Sequence, residues 1–109
     1  MKTRKLLVLI AVVVIAAAGI PAMADSGPDA APIYKGKCAM CHGPDGAGQT
    51  PTGKTMKVRD LRSPEVKKMT DADLAKVISD GKGKMPAYKA KLSAADITAL
   101  VNFVRAMKK

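Results

Sequence analysis

The chain is poor in aromatic, histidine and cysteine side chains. Its 109 residues include no Trp, two Tyr, one Phe, one His and two Cys. A small domain with so few aromatic residues has a thin hydrophobic core, and such domains often depend on a disulfide, a metal or a cofactor. One His and two Cys do not complete a structural zinc site, because such a site needs four ligands.

Acidic side chains are also scarce. The chain has 9 Asp and Glu residues against 19 Lys and Arg residues, which gives a net charge of +10. The basic residues are not interleaved with aromatic side chains that would stack on bases, so nucleic acid is a poor candidate partner.

The chain also lacks an apolar run long enough to serve as a membrane anchor. Basic residues near the N-terminus precede the apolar residues 6–18, and a small-x-small pattern ends at Ala24. Gly19 breaks the run, which falls short of the roughly 20 residues that span a bilayer. The pattern predicts a signal peptide over residues 1–24, cleaved after Ala24. Residues 25–109 are then one exported domain with no stable membrane insertion.

Both cysteines lie in one motif, Cys38-Ala39-Met40-Cys41-His42. Two cysteines spaced by two residues and followed directly by histidine are the signature of covalent haem attachment. Thiols one helical turn apart can add to the two vinyl groups of one porphyrin, and the next residue carries an imidazole under the iron. We therefore predict one haem c, bound through Cys38 and Cys41, with His42 as an axial iron ligand.

Other uses of a C-x-x-C pair are a structural disulfide, half of a zinc site and a haem-free dithiol. The adjoining histidine favours the haem interpretation over these alternatives. Export supports it as well, because c-type haem is attached in the oxidising periplasm or its equivalent. The predicted location is therefore the periplasm.

The second axial ligand is predicted to be a methionine. His42 is the only histidine, so ligation by two histidines of this chain is excluded, and Met40 lies inside the C-x-x-C loop. The remaining candidates are Met56, Met69, Met85 and Met107. Met69 and Met107 fall on predicted helices, where methionine usually fills gaps in the core. Met85 follows a flexible, glycine-containing segment and precedes Pro86, so a loop presents its thioether, and we predict Met85 as the ligand.

The hydrophobic pattern predicts an all-α fold with about four helices. The last helix has apolar residues at i, i+3, i+4 and i+7. Capping residues predict helices that begin after Asp29, Ser63, Thr70 and Ser93. The first of these helices is expected to run into the haem motif. Repeated Gly and Pro residues predict irregular structure from Gly43 to about Lys57.

These features resemble those of the class I c-type cytochromes, which are small soluble monohaem electron carriers. The resemblance covers essentially all of residues 29–109 and rests on the haem motif, on Met85-Pro86 and on the character of the two terminal helices. It implies the cytochrome c fold, in which the N-terminal and C-terminal helices cross around one covalently bound haem.

The resemblance also implies roles for residues outside the motif. Tyr34 and Phe103 match the aromatic positions at the helix crossing, together with Ala30 and Leu100. In the family, a proline carbonyl accepts the N–H of the proximal imidazole and so orients the ring. Pro51 is the candidate here, ahead of Pro44.

The predicted function is one-electron transfer between redox partners, not enzyme catalysis. Iron with both His and Met bound has no open position for a substrate, and Met/His ligation raises the reduction potential. The alternative is an enzyme or gas sensor in which Met85 is labile or absent from the iron.

Lysines flank both parts of the predicted site. They are Lys35, Lys37, Lys82, Lys84, Lys89 and Lys91. If they surround an exposed haem edge, they would steer an acidic redox partner into a salt-sensitive encounter. The alternative is that they only keep the surface soluble. We expect the protein to be a monomer.

Overall fold

The computed structural model describes residues 27–109, so the predicted signal peptide over residues 1–24 lies outside the described residues. Residues 27–109 form six α-helices and no β-strand, which confirms the all-α prediction. They are α1 (Ala30–Lys37), α2 (Ala39–His42), α3 (Pro51–Met56), α4 (Pro64–Lys68), α5 (Asp71–Asp80) and α6 (Ala94–Arg105).

The four predicted helix starts are confirmed by their capping bonds. The side chain of Asp29 accepts from a backbone N–H of α1, and that of Ser63 accepts from one of α4. Thr70 and Ser93 begin α5 and α6 with complete capping boxes. These bonds satisfy N–H groups that have no partner inside a helix.

The first helix leads up to the haem motif as expected: α1 ends at Lys37, and only Cys38, with φ at −112°, separates it from α2. One prediction about the first half of the fold is wrong. The segment predicted as irregular contains α3, which begins after Thr50 with a proline in its first turn. Thr50-Pro51 carries the same helix-start signal as Ser63-Pro64, although Gly53 lowers the helix propensity of α3.

Helix α6 forms the centre of the core. One face packs against α1, where Ala30, Tyr34 and Leu100 are buried. The rings of Tyr34 and Phe103 lie 5.0 Å apart at this contact, which confirms the predicted pairing of the terminal helices. Another part of α6 packs against α4 and α5 through a second cluster of buried residues, Val66, Leu74, Val101 and Val104.

Within residues 27–109, none of the helices combines the length and the apolar character that crossing a bilayer requires.

Candidate haem site

An apolar cavity of about 300 Å³ opens between the haem motif and helices α5 and α6. Cys38, Cys41 and His42 line it on the motif side, and Met85 lines it from the segment after α5. The structure thus brings all four residues of the predicted site to one cavity. Apolar side chains form much of the remaining wall, including Val66, Leu74, Val77, Ile78, Leu100, Val101 and Val104.

The haem motif forms its own short helix, which sets the spacing of its side chains. The amide of His42 donates to the carbonyl of Cys38 at 2.9 Å, which closes one helical turn. Gly43 ends α2 with φ at 79°, a conformation that favours glycine. The two thiols are therefore presented one turn apart, as covalent attachment to one porphyrin requires.

Backbone carbonyls at the end of the motif are held by groups from elsewhere in the chain. The Tyr34 hydroxyl donates to the carbonyl of Gly43 at 2.6 Å, and the amide of Gly48 donates to that of His42 at 2.8 Å. Burial raises the pKa of Tyr34 to about 12, so its hydroxyl stays protonated and remains a donor. These bonds fix the turn that carries the imidazole.

Thr50 joins the motif to α3. Its hydroxyl lies 2.7 Å from the carbonyl oxygen of Met40 and 3.1 Å from that of Cys41, and it accepts from the amide of Gly53 at 2.9 Å. A Cβ atom at Gly53 would collide with the carbonyl of Cys41 and would come within 2.6 Å of that of Gly48. The absence of a side chain at Gly53 therefore allows α3 to pack directly on the motif.

The environment of His42 favours a neutral imidazole. Burial lowers the pKa of His42, and the backbone of Arg59, acting as a hydrogen-bond acceptor, opposes that shift in part. Neutral imidazole is the form that binds a metal. The buried Nδ1 atom has no hydrogen bond of normal geometry within the described part of the chain, so the Arg59 contact is not a fully formed bond.

The expected hydrogen bond from His42 to Pro51 is not present in the structure. The carbonyl of Pro51 instead accepts from the hydroxyl of Thr55 at 3.0 Å. Pro51 occupies the first turn of α3, and its position is set by that helix. The backbone of Arg59 is the polar group near the imidazole, although it lies farther along the chain.

Both cysteines are free and partly buried. Burial raises the pKa of Cys38, although the nearby charge of Lys37 lowers it in part. A thiol with a raised pKa forms little thiolate at neutral pH and is a poor redox nucleophile. The raised pKa therefore argues against a dithiol redox centre in which Cys38 is the nucleophile.

Met85 lies in a tight hydrogen-bonded turn and not in the flexible loop that the glycines suggested. Lys82 and Met85 exchange two backbone hydrogen bonds, of 3.1 and 3.0 Å, across Gly83 and Lys84. Gly83 has φ at 58°, as the first central position of a two-residue turn often requires. The amide of Tyr88 donates to the carbonyl of Ile78 at 3.0 Å and so ties this segment to the end of α5.

The structure leaves three methionines, Met56, Met69 and Met85, as candidates for the second axial ligand, because only these of the methionines within residues 27–109 line the cavity. Met40 is 75% exposed, and the sulfur of Met107 packs against Gly46, away from the cavity. Met56 and Met69 line the cavity together with Met85. Met56 is the last residue of α3 and Met69 is the C-cap of α4, whereas Met85 lies in a turn.

The residues that meet at this cavity fit a c-type haem. Two thiols, an imidazole that burial keeps neutral and a thioether surround a largely apolar space, and these are the groups that attach and ligate a c-type haem. The chain also matches the family described as cytochrome c oxidase, cbb3-type, subunit III, over residues 25–104. This chain belongs to the c-type cytochromes. The cytochrome therefore carries covalently bound haem c.

Named relatives and solved structures agree with this assignment. A cytochrome c6 of Microcystis aeruginosa is 40% identical to the cytochrome over 80 residues, which are 72% of this chain and 93% of the relative. A cytochrome c6 of a Picosynechococcus species is 32% identical over 108 residues, with 92% of each chain covered. The structure of the c-type cytochrome KustC0563 superposes with a TM-score of 0.70 at 32% identity, and covers 75% of this chain and 100% of that chain.

Cytochromes c6 are electron carriers, and the cytochrome is an electron carrier of the same family.

The residues of the site that the sequence did not reveal are those that support the haem motif from outside. Thr50 had a detectable signal, because a capping residue before proline marks a helix start. The contact of Arg59 with the imidazole had no signal, since it depends on how the chain folds back after α3.

Proposed function

We propose that the cytochrome is a periplasmic one-electron carrier whose haem is attached through Cys38 and Cys41 and ligated by His42 and Met85. The observation that carries this proposal is that these four side chains, from two segments far apart in sequence, line one apolar cavity. A haem held by these residues would supply one-electron chemistry between Fe(II) and Fe(III).

Each proposed ligand has a backbone that holds it in place. His42 lies at the end of a helical turn with a hydrogen bond of 2.9 Å to Cys38, and Met85 lies in the turn that it closes with Lys82. A site held from both sides changes little between oxidation states. With His42 and Met85 bound, no axial position remains for a substrate, so we propose carriage of electrons and not catalysis.

The charged groups at the cavity support docking of an acidic redox partner. Every Lys, Arg, Asp or Glu residue in the wall of the cavity is basic: they are Lys37, Lys57, Arg59, Lys82 and Lys84. Charges of one sign around a site raise the rate at which an oppositely charged partner arrives, and this effect falls with ionic strength. The lysines beside Met85 and Cys38 are therefore the proposed docking surface.

The ligand assignment is tested by the ferric visible spectrum of the exported protein. Wild type should be low-spin with the weak red band of a thioether–iron bond. Met85→Ala should keep its covalent haem, lose that band and have a lower reduction potential. Met56→Ala and Met69→Ala are matched controls from the same cavity and should keep the band. If Met85→Ala retains the native spectrum, another residue is the ligand; a high-spin wild type would support a sensor or an enzyme.

The docking surface is tested by the rate of electron transfer to an acidic redox protein. Lys82→Gln with Lys84→Gln should lower that rate at low salt and leave it nearly unchanged at high salt. Lys68→Gln with Lys76→Gln removes the same charge from residues that do not line the cavity, and it should have a smaller effect. Equal effects from both pairs would show that the lysines act only through net charge.

Export is tested by the mass of the mature protein. The family match begins at residue 25, which supports a mature domain that begins there. Cleavage after Ala24 should give a periplasmic protein with Asp25 at its N-terminus. Recovery of the uncleaved chain in the membrane fraction would contradict the proposal.

A further inference from the structure

Lys57 has an unusual backbone conformation. Within residues 27–109, it is the only residue other than glycine with positive φ, at φ 56° and ψ 45°. It lies directly after α3, and its amide is bonded to the carbonyls of Gly53 and Lys54. This left-handed position after a helix is usually glycine, because a Cβ atom makes the conformation unfavourable. The presence of lysine there calls for a role of its side chain.

Lys57 and Arg59 are two cationic residues on the wall of the cavity. Neither forms a salt bridge with any carboxylate of the described residues. Between them, the side chain of Val58 packs toward Gly48, where an added Cβ would come within 2.8 Å of Val58 Cγ2. The segment thus anchors its apolar residue in the protein and keeps two unpaired cations beside an apolar space.

The cofactor of a c-type cytochrome carries two propionate carboxylates as well as the carbons derived from its vinyl groups. The propionates lie on the porphyrin edge away from the vinyl groups, so cations next to the cysteines are poorly placed to reach them. Lys37 directly precedes Cys38, and Lys82 and Lys84 belong to the turn of Met85. Lys57 and Arg59 are the cavity-lining cations that belong to neither group.

We propose that Lys57, together with Arg59, binds a propionate carboxylate of the haem. The proposal rests on the haem attachment through Cys38 and Cys41 proposed above. It accounts for the left-handed lysine, since the unfavourable backbone is offset by a charge-assisted bond that glycine would lack. A cation near a helix C-terminus also interacts favourably with the helix dipole, and the experiment separates that role from propionate binding.

The test uses the haem-loaded protein and compares four variants. Lys57→Gln removes the charge and keeps the side-chain stem, Lys57→Gly removes the charge and relieves the backbone, and Lys57→Arg keeps the charge. Lys54→Gln is the matched control, because Lys54 is an exposed lysine of the same short helix that does not line the cavity. The reduction potential of each is measured at low and at high ionic strength.

We expect Lys57→Gln and Lys57→Gly to lower the potential more than Lys54→Gln, because a lost cation beside the haem favours Fe(III). The extra shift should persist at high salt, since a close ion pair is screened less than exposed charges, and Lys57→Arg should restore the wild-type value. Potentials equal to that of Lys54→Gln in both charge-removing variants would overturn the proposal. That result, with covalent haem and a low-spin spectrum retained, would leave the proposed electron carrier unaffected.

Discussion

The hydroxyl of Tyr88 donates a hydrogen bond of 3.2 Å to the carbonyl oxygen of Lys37, 51 residues away in sequence. Tyr88 belongs to the segment that carries Met85, and Lys37 directly precedes Cys38. The bond therefore joins the two sides of the cavity, next to Cys38 on one side and close to Met85 on the other.

Tyr88→Phe should make Met85, the proposed ligand, easier to displace from the iron. The phenyl ring fills the same space, but the loss of a bond worth ~1 kcal/mol loosens the Met85 segment and should tighten cyanide binding to the ferric protein roughly five-fold. Cyanide titration of wild type and variant checks this. Lys89→Ala is the control, because Lys89 is an exposed residue beside Tyr88 whose ion pair with Asp80 is long, at 4.0 Å. This variant should bind cyanide like wild type. An unchanged affinity in Tyr88→Phe would show that the bond does not hold Met85.

Gly53→Ala should destabilise the protein although alanine is the better helix former. The new methyl group would meet the carbonyls of Cys41 and Gly48, so α3 has to move away from the haem motif. Gly36→Ala, within α1, is the matched control, since nothing lies within 4 Å of its added Cβ. The control should gain roughly 0.5–1 kcal/mol. Denaturant unfolding of both variants checks the opposite signs, and a more stable Gly53→Ala would disprove the close approach.

Thr50→Val should lower the free energy of unfolding by roughly 1–3 kcal/mol, because it removes the cap of α3 and leaves the carbonyls of Met40 and Cys41 without their partner. Thr50→Ser retains the hydroxyl and should lose much less. Thermal and denaturant unfolding of the haem-loaded proteins measure the difference. A loss in Thr50→Ser with none in Thr50→Val would mean that Thr50 acts through its methyl group and not through its hydroxyl.

Asp60 should make stability depend on pH in the acid range. Hydrogen bonds from Arg62 hold the pKa of Asp60 at about 2, below the ordinary value of 3.8. A carboxylate with a depressed folded-state pKa stabilises the fold above its ordinary pKa, and this contribution is lost as pH falls through about 2. Asp60→Asn should therefore be slightly less stable than wild type at neutral pH, and the difference should shrink as pH falls.

Unfolding at a series of acid pH values checks this prediction. The effect should be modest, because the Asp60–Arg62 pair is near the surface and solvent screens it. Glu65→Gln is the control, since Glu65 forms no ion pair with the described residues. A constant difference between wild type and Asp60→Asn across the acid range would show that the ion pair does not contribute.

The sequence by itself determined the chemistry of this protein and most of its helices. The haem motif is contiguous, so Cys38, Cys41 and His42 could be recognised without knowing the fold. Helix starts such as Thr70 and Ser93 were equally readable, because a capping bond joins residues only three positions apart. Interactions that depend on short spacing leave their pattern in the sequence.

Tertiary structure alone decided how the site is supported. The placement of Arg59, and not Pro51, beside the imidazole depends on the path of the chain after α3. The distance from Gly53 to the motif and the bond from Tyr88 to Lys37 likewise join residues whose sequence separation carries no information about contact. Such contacts form only when helices pack to bury their apolar faces, so packing, and not local propensity, sets the environment of the haem.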